Sequence, residues 1–220
     1  MTPTAARLTI DLDALAANYA AIRREAGGVE AAPVVKADGY GLGAVLVARR
    51  LWAEGARQFF VARLSEGVAL REGLGSLYPA TIYVLDGCAE GSLGDLAAFN
   101  LTPVLNSTGQ VQRYGEWARS RASAPAPAAF QVDTGMNRQG LTPEQFTELA
   151  ANPETLAPVD LKLIMSHLGS ATLPSAERSA RQLAMFQDLR AMFQTAPASL
   201  AASAGIFLGN AYHFALVLPG

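Results

Sequence analysis

Cysteine is almost missing from these 220 residues: Cys88 stands alone, so no disulfide can close within the chain and nothing in it asks for an oxidising compartment. Two histidines with one cysteine are too few for a structural zinc site, and no metal is expected. Long hydrophobic runs are lacking as well, since nothing approaches the roughly eighteen uninterrupted apolar residues of a membrane helix. The short apolar stretch at the N-terminus carries Arg7 and is interrupted by Asp11 and Asp13, which leaves no apolar secretory core. A surplus of either charge is also missing. Seventeen Lys and Arg stand against 19 Asp and Glu for a net charge of −2, and the basic residues are scattered, so the footprint that a phosphate backbone requires is not there. These absences predict a cytoplasmic, metal-free protein with neither nucleic acid nor membrane as a partner.

What is present is core material: half of the residues are hydrophobic, enough for one sizeable domain or two small ones. From Ala191 to Gly220 there is no Asp, Glu, Lys or Arg at all. Gly205, Gly209, Asn210 and Pro219 break up that segment, so it reads as buried strands rather than a membrane helix.

An amphipathic helix opens the chain, with Leu12, Leu15, Tyr19 and Ile22 on one face after a cap at Asp11 or Asp13. Eight β-type runs follow, at Pro33 to Lys36, Phe59 to Ala62, Thr81 to Leu85, Thr102 to Leu105, Ala129 to Asp133, Leu161 to Ser166, Ser199 to Ser203 and Phe214 to Leu218. Helical stretches alternate with them near Ala44 to Glu54, Ser65 to Glu72, Glu90 to Phe99, Ser107 to Arg119, Pro143 to Ala151 and Ser175 to Gln194. The link between the last two strands is unassigned, and Ala122 to Ala129 reads as a loop entering strand five. Strict alternation implies parallel pairing through crossovers, and eight strands in this length suit a closed (β/α)8 TIM-type barrel better than an open sheet.

In such a barrel the working residues follow the strands at the C-terminal face. The residues found there are Lys36, Arg63, Asn106, the run Asp133 to Arg138, His167, Ser203 and Pro219-Gly220. A lysine at the mouth of an apolar barrel is partly desolvated, which lowers its pKa and frees the amine as a nucleophile; the plain alternative for Lys36 is a solvated lysine at a strand end. Gly39, Gly41 and Gly43 come next, in a turn where backbone can approach a ligand closely and a helix N-terminus can face an anion.

The segment Val34-Val35-Lys36-Ala37-Asp38-Gly39-Tyr40-Gly41-Leu42-Gly43 resembles the signature around the cofactor lysine of the alanine racemases, barrel-type enzymes that use pyridoxal phosphate. The resemblance continues in order through Val132-Asp133-Thr134-Gly135-Met136-Asn137-Arg138, Ser166-His167, the Gln182 and Phe186 pair, and Ser203-Ala204-Gly205, covering nearly the whole chain. It implies that Lys36 carries the cofactor as a Schiff base and serves as the base on one face of the substrate Cα. Tyr40 and Ser203 would hold the phosphate, helped by backbone amides near Gly205 and Gly220. Arg138 would donate to the phenolate oxygen, and His167 would sit beside the pyridine ring. Taken singly, Tyr40 could equally be packing, Arg138 a surface residue at a helix start, His167 a buried strand histidine and Ser203 a turn former.

The departures from the family pattern carry information too. Ala202 stands where the family has Asn, and Leu218 replaces the arginine that bonds the pyridine nitrogen. Leucine offers no hydrogen bond, so weaker cofactor binding is expected. Gln131 takes the place of a lysine that many members carbamylate to brace the arginine, and Ala171-Thr172-Leu173-Pro174 lacks an acidic pair. Racemisation needs one group on each face of Cα, and the resemblance implies that the second is a tyrosine from a C-terminal β domain, across a homodimer interface of the full-length enzyme. Residues 1 to 220 are therefore expected to be the N-terminal barrel domain alone, truncated at strand eight, without that β domain. The enzyme reading is interconversion of L- and D-alanine, the D-isomer serving peptidoglycan. The alternative is a non-catalytic single-domain barrel that binds pyridoxal phosphate, and a third reading is a remnant that no longer binds it.

Overall fold

The computed structural model describes residues 6, 8–121, 125–173, 177–193 and 195–220. Helix α1 (Leu12–Glu25) is capped by Asp11, whose carboxylate accepts the N–H groups of Asp13 and Ala14 at 2.9 Å each. Of the two expected caps, Asp11 takes the role and Asp13 lies in the first turn, where an acid suits the helix dipole. The buried Tyr19 hydroxyl donates to the Ala31 carbonyl at 2.8 Å and ties α1 to the first strand.

Eight strands follow: β1 (Glu30–Ala31), β2 (Gln58–Val61), β3 (Thr81–Val84), β4 (Leu101–Leu105), β5 (Ala126–Gln131), β6 (Val159–Met165), β7 (Ala198–Ala202) and β8 (Leu216–Leu218). All neighbours are parallel, in the order β1-β8-β7-β6-β5-β4-β3-β2. A parallel bridge from Val34 to Phe60 joins the first strand to β2 and closes the (β/α)8 barrel. Between the strands run α2 (Lys36–Tyr40), α3 (Ala44–Ala53), α4 (Leu64–Leu74), α5 (Leu93–Ala98), α6 (Thr108–Arg119), α7 (Pro143–Ala151), α8 (Pro153–Leu156), α9 (Glu177–Arg190) and α10 (Ser203–Ile206). Among the described residues no helix is long and apolar enough to cross a membrane.

Several boundaries differ from the sequence expectation. The first strand begins its ladder at Glu30–Ala31, ahead of the expected Pro33 to Lys36; within that expected run Val34 bridges Phe60, and the chain turns at Lys36. The fifth begins at Ala126, so the latter part of the expected loop is strand; residues 122–124 of that loop lie outside the described residues. The helix expected from Glu90 starts only at Leu93, after a turn through Gly91 at φ +81°. Arg7, Pro174 and the expected ends of the Ser175 to Gln194 helix also lie outside the described residues; within them α9 runs from Glu177. The link left unassigned before β8 is α10 followed by a 3-10 turn at Asn210–Tyr212.

Period-two alternation separates two cores. Phe60, Tyr83, Val104, Ala129, Leu163, Met165, Leu216 and Leu218 point into the barrel with Ala32. Their strand neighbours Phe59, Val61, Ile82, Val84, Leu105, Ala128, Phe130, Ile164 and Val217 pack outward under the helices. Phe60 and Tyr83 stack inside with centroids 4.5 Å apart and planes 11° from parallel. The uncharged segment is mostly buried at β7 and β8, although Phe207 between them is exposed. Phe60 is fully buried and also sits on the closing bridge. Phe60→Ala is therefore expected to lower unfolding free energy by about 3–5 kcal/mol in urea titration, and a loss below about 1 kcal/mol would contradict this account of the interior.

Candidate active site

A cavity of about 1040 Å³ opens where the strands end, and Lys36, Tyr40, Arg138, His167, Ser203 and Gly220 all line it. Leu85, Met165 and Leu218 contribute an apolar portion of its wall. Lys36 enters from β1 just before an unusual turn: in α2, Ala37 (φ 51°, ψ 48°), Asp38 (φ 53°, ψ 48°) and Gly39 (φ 63°, ψ 39°) are all left-handed. Such a conformation costs an ordinary L-residue about 1–2 kcal/mol, so other contacts must hold it. The Asp38 carboxylate accepts the Ala44 N–H at 2.8 Å, the Asp38 carbonyl accepts the Gly43 N–H at 2.8 Å, and Glu66 accepts the Ala37 N–H at 3.0 Å. Gly39 also has to be small, because a Cβ there would meet the Ala44 nitrogen at 3.2 Å. The turn leaves the Lys36 ammonium 6.0 Å from the centroid of the Tyr40 ring.

Tyr40, Ser203 and Gly220 form one wall. The Gly220 N–H donates to Ser203 Oγ at 2.9 Å, and a Cβ on Gly220 would lie 2.7 Å from the Tyr40 hydroxyl, so a side chain there would push the Tyr40 ring aside. Burial pushes the Tyr40 phenol up from its ordinary value. Gly205 does not line the cavity; it lies buried behind the wall against Leu168 and Ala201.

The opposite side is built from the loop after β5. Asp133 Oδ1 accepts the N–H groups of Gly135, Met136 and Asn137 at 2.9, 2.9 and 3.1 Å, which folds the turn that presents Arg138. Buried Gln131 donates to the Gln139 carbonyl at 3.1 Å, and Gln139 donates across the mouth to the Leu85 carbonyl at 2.8 Å. Gln131 thus braces the loop through a neutral amide. Gln182, from α9, donates to the His167 carbonyl at 2.9 Å and accepts the Gly169 N–H at 2.9 Å, which fixes the loop after β6. His167 is held below the usual imidazole range, first by burial and then by the positive charges of Arg138 and Lys36.

Two strand-end residues fall outside the cluster. Exposed Arg63 heads α4 with its guanidinium 4.0 Å from the Asp86 carboxylate. Asn106 donates to the Leu85 and Val104 carbonyls at 2.7 Å each and serves the backbone. Sequence reasoning missed Glu66, Gln139 and Asp86. For Glu66 a signal existed, since a glutamate three residues after a helix cap is the second half of a capping box, but arginine in the cap position hides it.

The site fits pyridoxal phosphate in its donors: an amine, a guanidinium, two hydroxyls and a glycine amide surround one cavity. It departs from the family pattern at Leu218, which is buried in the apolar interior and gives a pyridine nitrogen nothing to bond. Among the described residues no three His, Cys, Asp or Glu gather as a metal site.

The family model described as alanine racemase, N-terminal domain, matches residues 10–220. An alanine racemase of Methylobacterium nodulans is 47% identical over 215 residues, which is 98% of this chain and 57% of the relative. A catabolic alanine racemase of Mesorhizobium japonicum is 46% identical over 213 residues, 97% of this chain and 55% of the relative. The crystal structure of alanine racemase from Bartonella henselae with covalently bound pyridoxal phosphate superposes with a TM-score of 0.90 at 34% identity, covering 96% of this chain and 60% of that one. The enzyme from Streptomyces coelicolor gives 0.88 at 29% identity, covering 96% and 57%. The chain spans little more than half the length of the curated relatives it matches.

A histidine whose folded-state pKa is depressed favours the unfolded chain once that chain can bind the proton, so stability is present above the unfolded value near 6.5 and is lost as pH falls through it. The full chain is expected to lose more stability than His167→Asn between pH 7.5 and pH 5 in denaturant titrations. Equal losses would show that His167 is not held neutral.

Proposed function

The chain belongs to the family of the alanine racemase N-terminal domain, and on that premise we propose that it is the cofactor-holding barrel of a pyridoxal-phosphate-dependent amino-acid racemase that interconverts L- and D-alanine. The observation that carries this reading is the convergence of Lys36, Tyr40, Arg138, His167, Ser203 and Gly220 on one cavity from separate strands. Lys36 is the attachment point and the base for one face of the substrate Cα. Tyr40, Ser203 and the Gly220 amide hold the phosphate, with Gly205 supporting that wall from behind. Arg138 donates to the phenolate oxygen, and neutral His167 lies beside the ring without adding a third positive charge. When bound, pyridoxal phosphate supplies the electron sink that acidifies the Cα proton.

Lys36 receives that proton on one side and can return it there; net inversion needs a second group on the other side. We assign that group to the part of the relatives' length that these 220 residues do not span, and with it the homodimer. The D-alanine product would serve peptidoglycan. A single cysteine, buried and without a disulfide, accords with a cytoplasmic setting.

The test is the visible absorbance of the purified chain with added pyridoxal phosphate, followed by borohydride reduction and peptide mapping. A phosphopyridoxyl group on Lys36, lost in Lys36→Ala, is expected; a reducible adduct elsewhere would refute the assignment. Adduct formation without turnover, even when the remainder of a full-length relative is supplied, would favour the non-catalytic barrel. Leu218→Arg is expected to tighten cofactor binding in an equilibrium titration by roughly tenfold or more, as for one regained bond to a charged group. Unchanged affinity would mean that position 218 does not face the ring nitrogen.

A further inference from the structure

We propose that Glu66 is a positioning residue that fixes the direction of Lys36, and this rests on the role of Lys36 given above. Lys36 sits at a sharp change of backbone. On its N-terminal side the Val35 N–H is laddered to the Phe60 carbonyl at 2.8 Å, while on its C-terminal side Ala37 opens the left-handed turn. With the preceding backbone held in the ladder, anchoring the peptide between Lys36 and Ala37 fixes φ and ψ of Lys36 together, and φ sets where its side chain leaves the backbone. The N–H of that peptide donates to Glu66 Oε1 at 3.0 Å.

Glu66 comes from α4, twenty-nine positions further along the chain. Its other oxygen, Oε2, accepts the N–H groups of Ala62 at 2.7 Å and Arg63 at 3.3 Å, immediately beyond β2. One half-buried carboxylate therefore joins the end of β2 to the hinge behind Lys36. Both oxygens are used as acceptors, and all the donors are backbone amides. A glutamine has the same shape but carries one acceptor oxygen, and its amide nitrogen would face N–H donors. The local bonds to Ala62 and Arg63 explain how α4 begins; the bond to Ala37 is not needed for that. Its effect falls on a turn whose left-handed residues would relax to ordinary geometry once released, and Lys36 would swing with the peptide.

The experiment compares the full chain with Glu66→Gln and Glu66→Ala, first free and then with pyridoxal phosphate. In the free chain, amide exchange read by mass spectrometry should speed up roughly ten- to hundredfold over residues 36–41, as expected for losing a charge-assisted bond. Strands β3 to β6 should keep their protection. With pyridoxal phosphate, the variants should form the reducible Lys36 adduct at least about tenfold more slowly. They should also lose the visible circular dichroism that a ligand held in one orientation gives. Unchanged exchange over 36–41 overturns the proposal, and so does faster exchange with unaltered dichroism and adduct rate, since the carboxylate would then hold the turn without aiming Lys36. If the unsubstituted chain itself gives no Lys36 adduct, the cofactor reading falls and the proposal with it, a case that the unsubstituted control separates from failure of Glu66 alone. Should Glu66→Ala fail to fold, the isosteric Glu66→Gln carries the same test.

Discussion

The ladder around Pro33 to Val35 is the constraint from which the rest of this molecule follows. On one side the Val34 N–H bonds the Pro219 carbonyl at 2.8 Å and the Ala32 N–H bonds Val217 at 2.9 Å; on the other, the Phe60 N–H bonds Pro33 at 3.0 Å. A run of four residues thus serves two neighbouring strands and closes a sheet that would otherwise have two unpaired edges. Proline can sit there because its carbonyl is the only backbone group the ladder asks of it. Closure brings β1 and β8 side by side, and that places Tyr40 against Gly220.

Around the mouth, neutral amides do most of the holding. Gln131, Gln139, Gln182, Asn106 and Gln110 each bond backbone groups of neighbouring loops. Amides give direction without charge, so the cations Lys36 and Arg138 are not spent on internal ion pairs among the described residues. With His167 kept neutral beside them, the cavity offers a positive field to an anionic ligand and a hydrogen-bonded frame that does not compete for it. Of the carboxylates near the mouth, Asp38, Glu66 and Asp133 accept from backbone N–H groups, while Asp86, which lines the cavity, lies 4.0 Å from Arg63.

The barrel was legible because alternation is redundant: Phe59-Phe60-Val61 and Ile82-Tyr83-Val84 state the same pattern at successive strands, and an error at one end of a run does not change the count. The start of β1 was not legible, since Glu30-Ala31 lacks the hydrophobic pattern of Pro33-Val34-Val35 and is paired only through β8, far along the chain. The cluster of Lys36, Tyr40, Arg138, His167, Ser203 and Gly220 could be named because resemblance supplied an order of motifs. The left-handed run through Ala37 and Asp38 could not, because alanine disfavours positive φ and the bonds that hold the run reach to Glu66 on α4 as well as to Gly43 and Ala44. Gly205 lies outside the cavity lining, against Leu168 and Ala201, so a glycine in a motif can serve packing as well as ligand approach.

Tyr40 meeting Gly220 also has a kinetic side. The wall that joins them draws on β1, made early, and on the segment after β8, made after the other barrel strands among the described residues. During synthesis the first strand must wait, with one edge open, until the eighth has left the ribosome. A site split this way has high contact order, so ligand capture would register that the ring has closed, and any chaperone or proteolytic surveillance of unfinished chains would act before that moment.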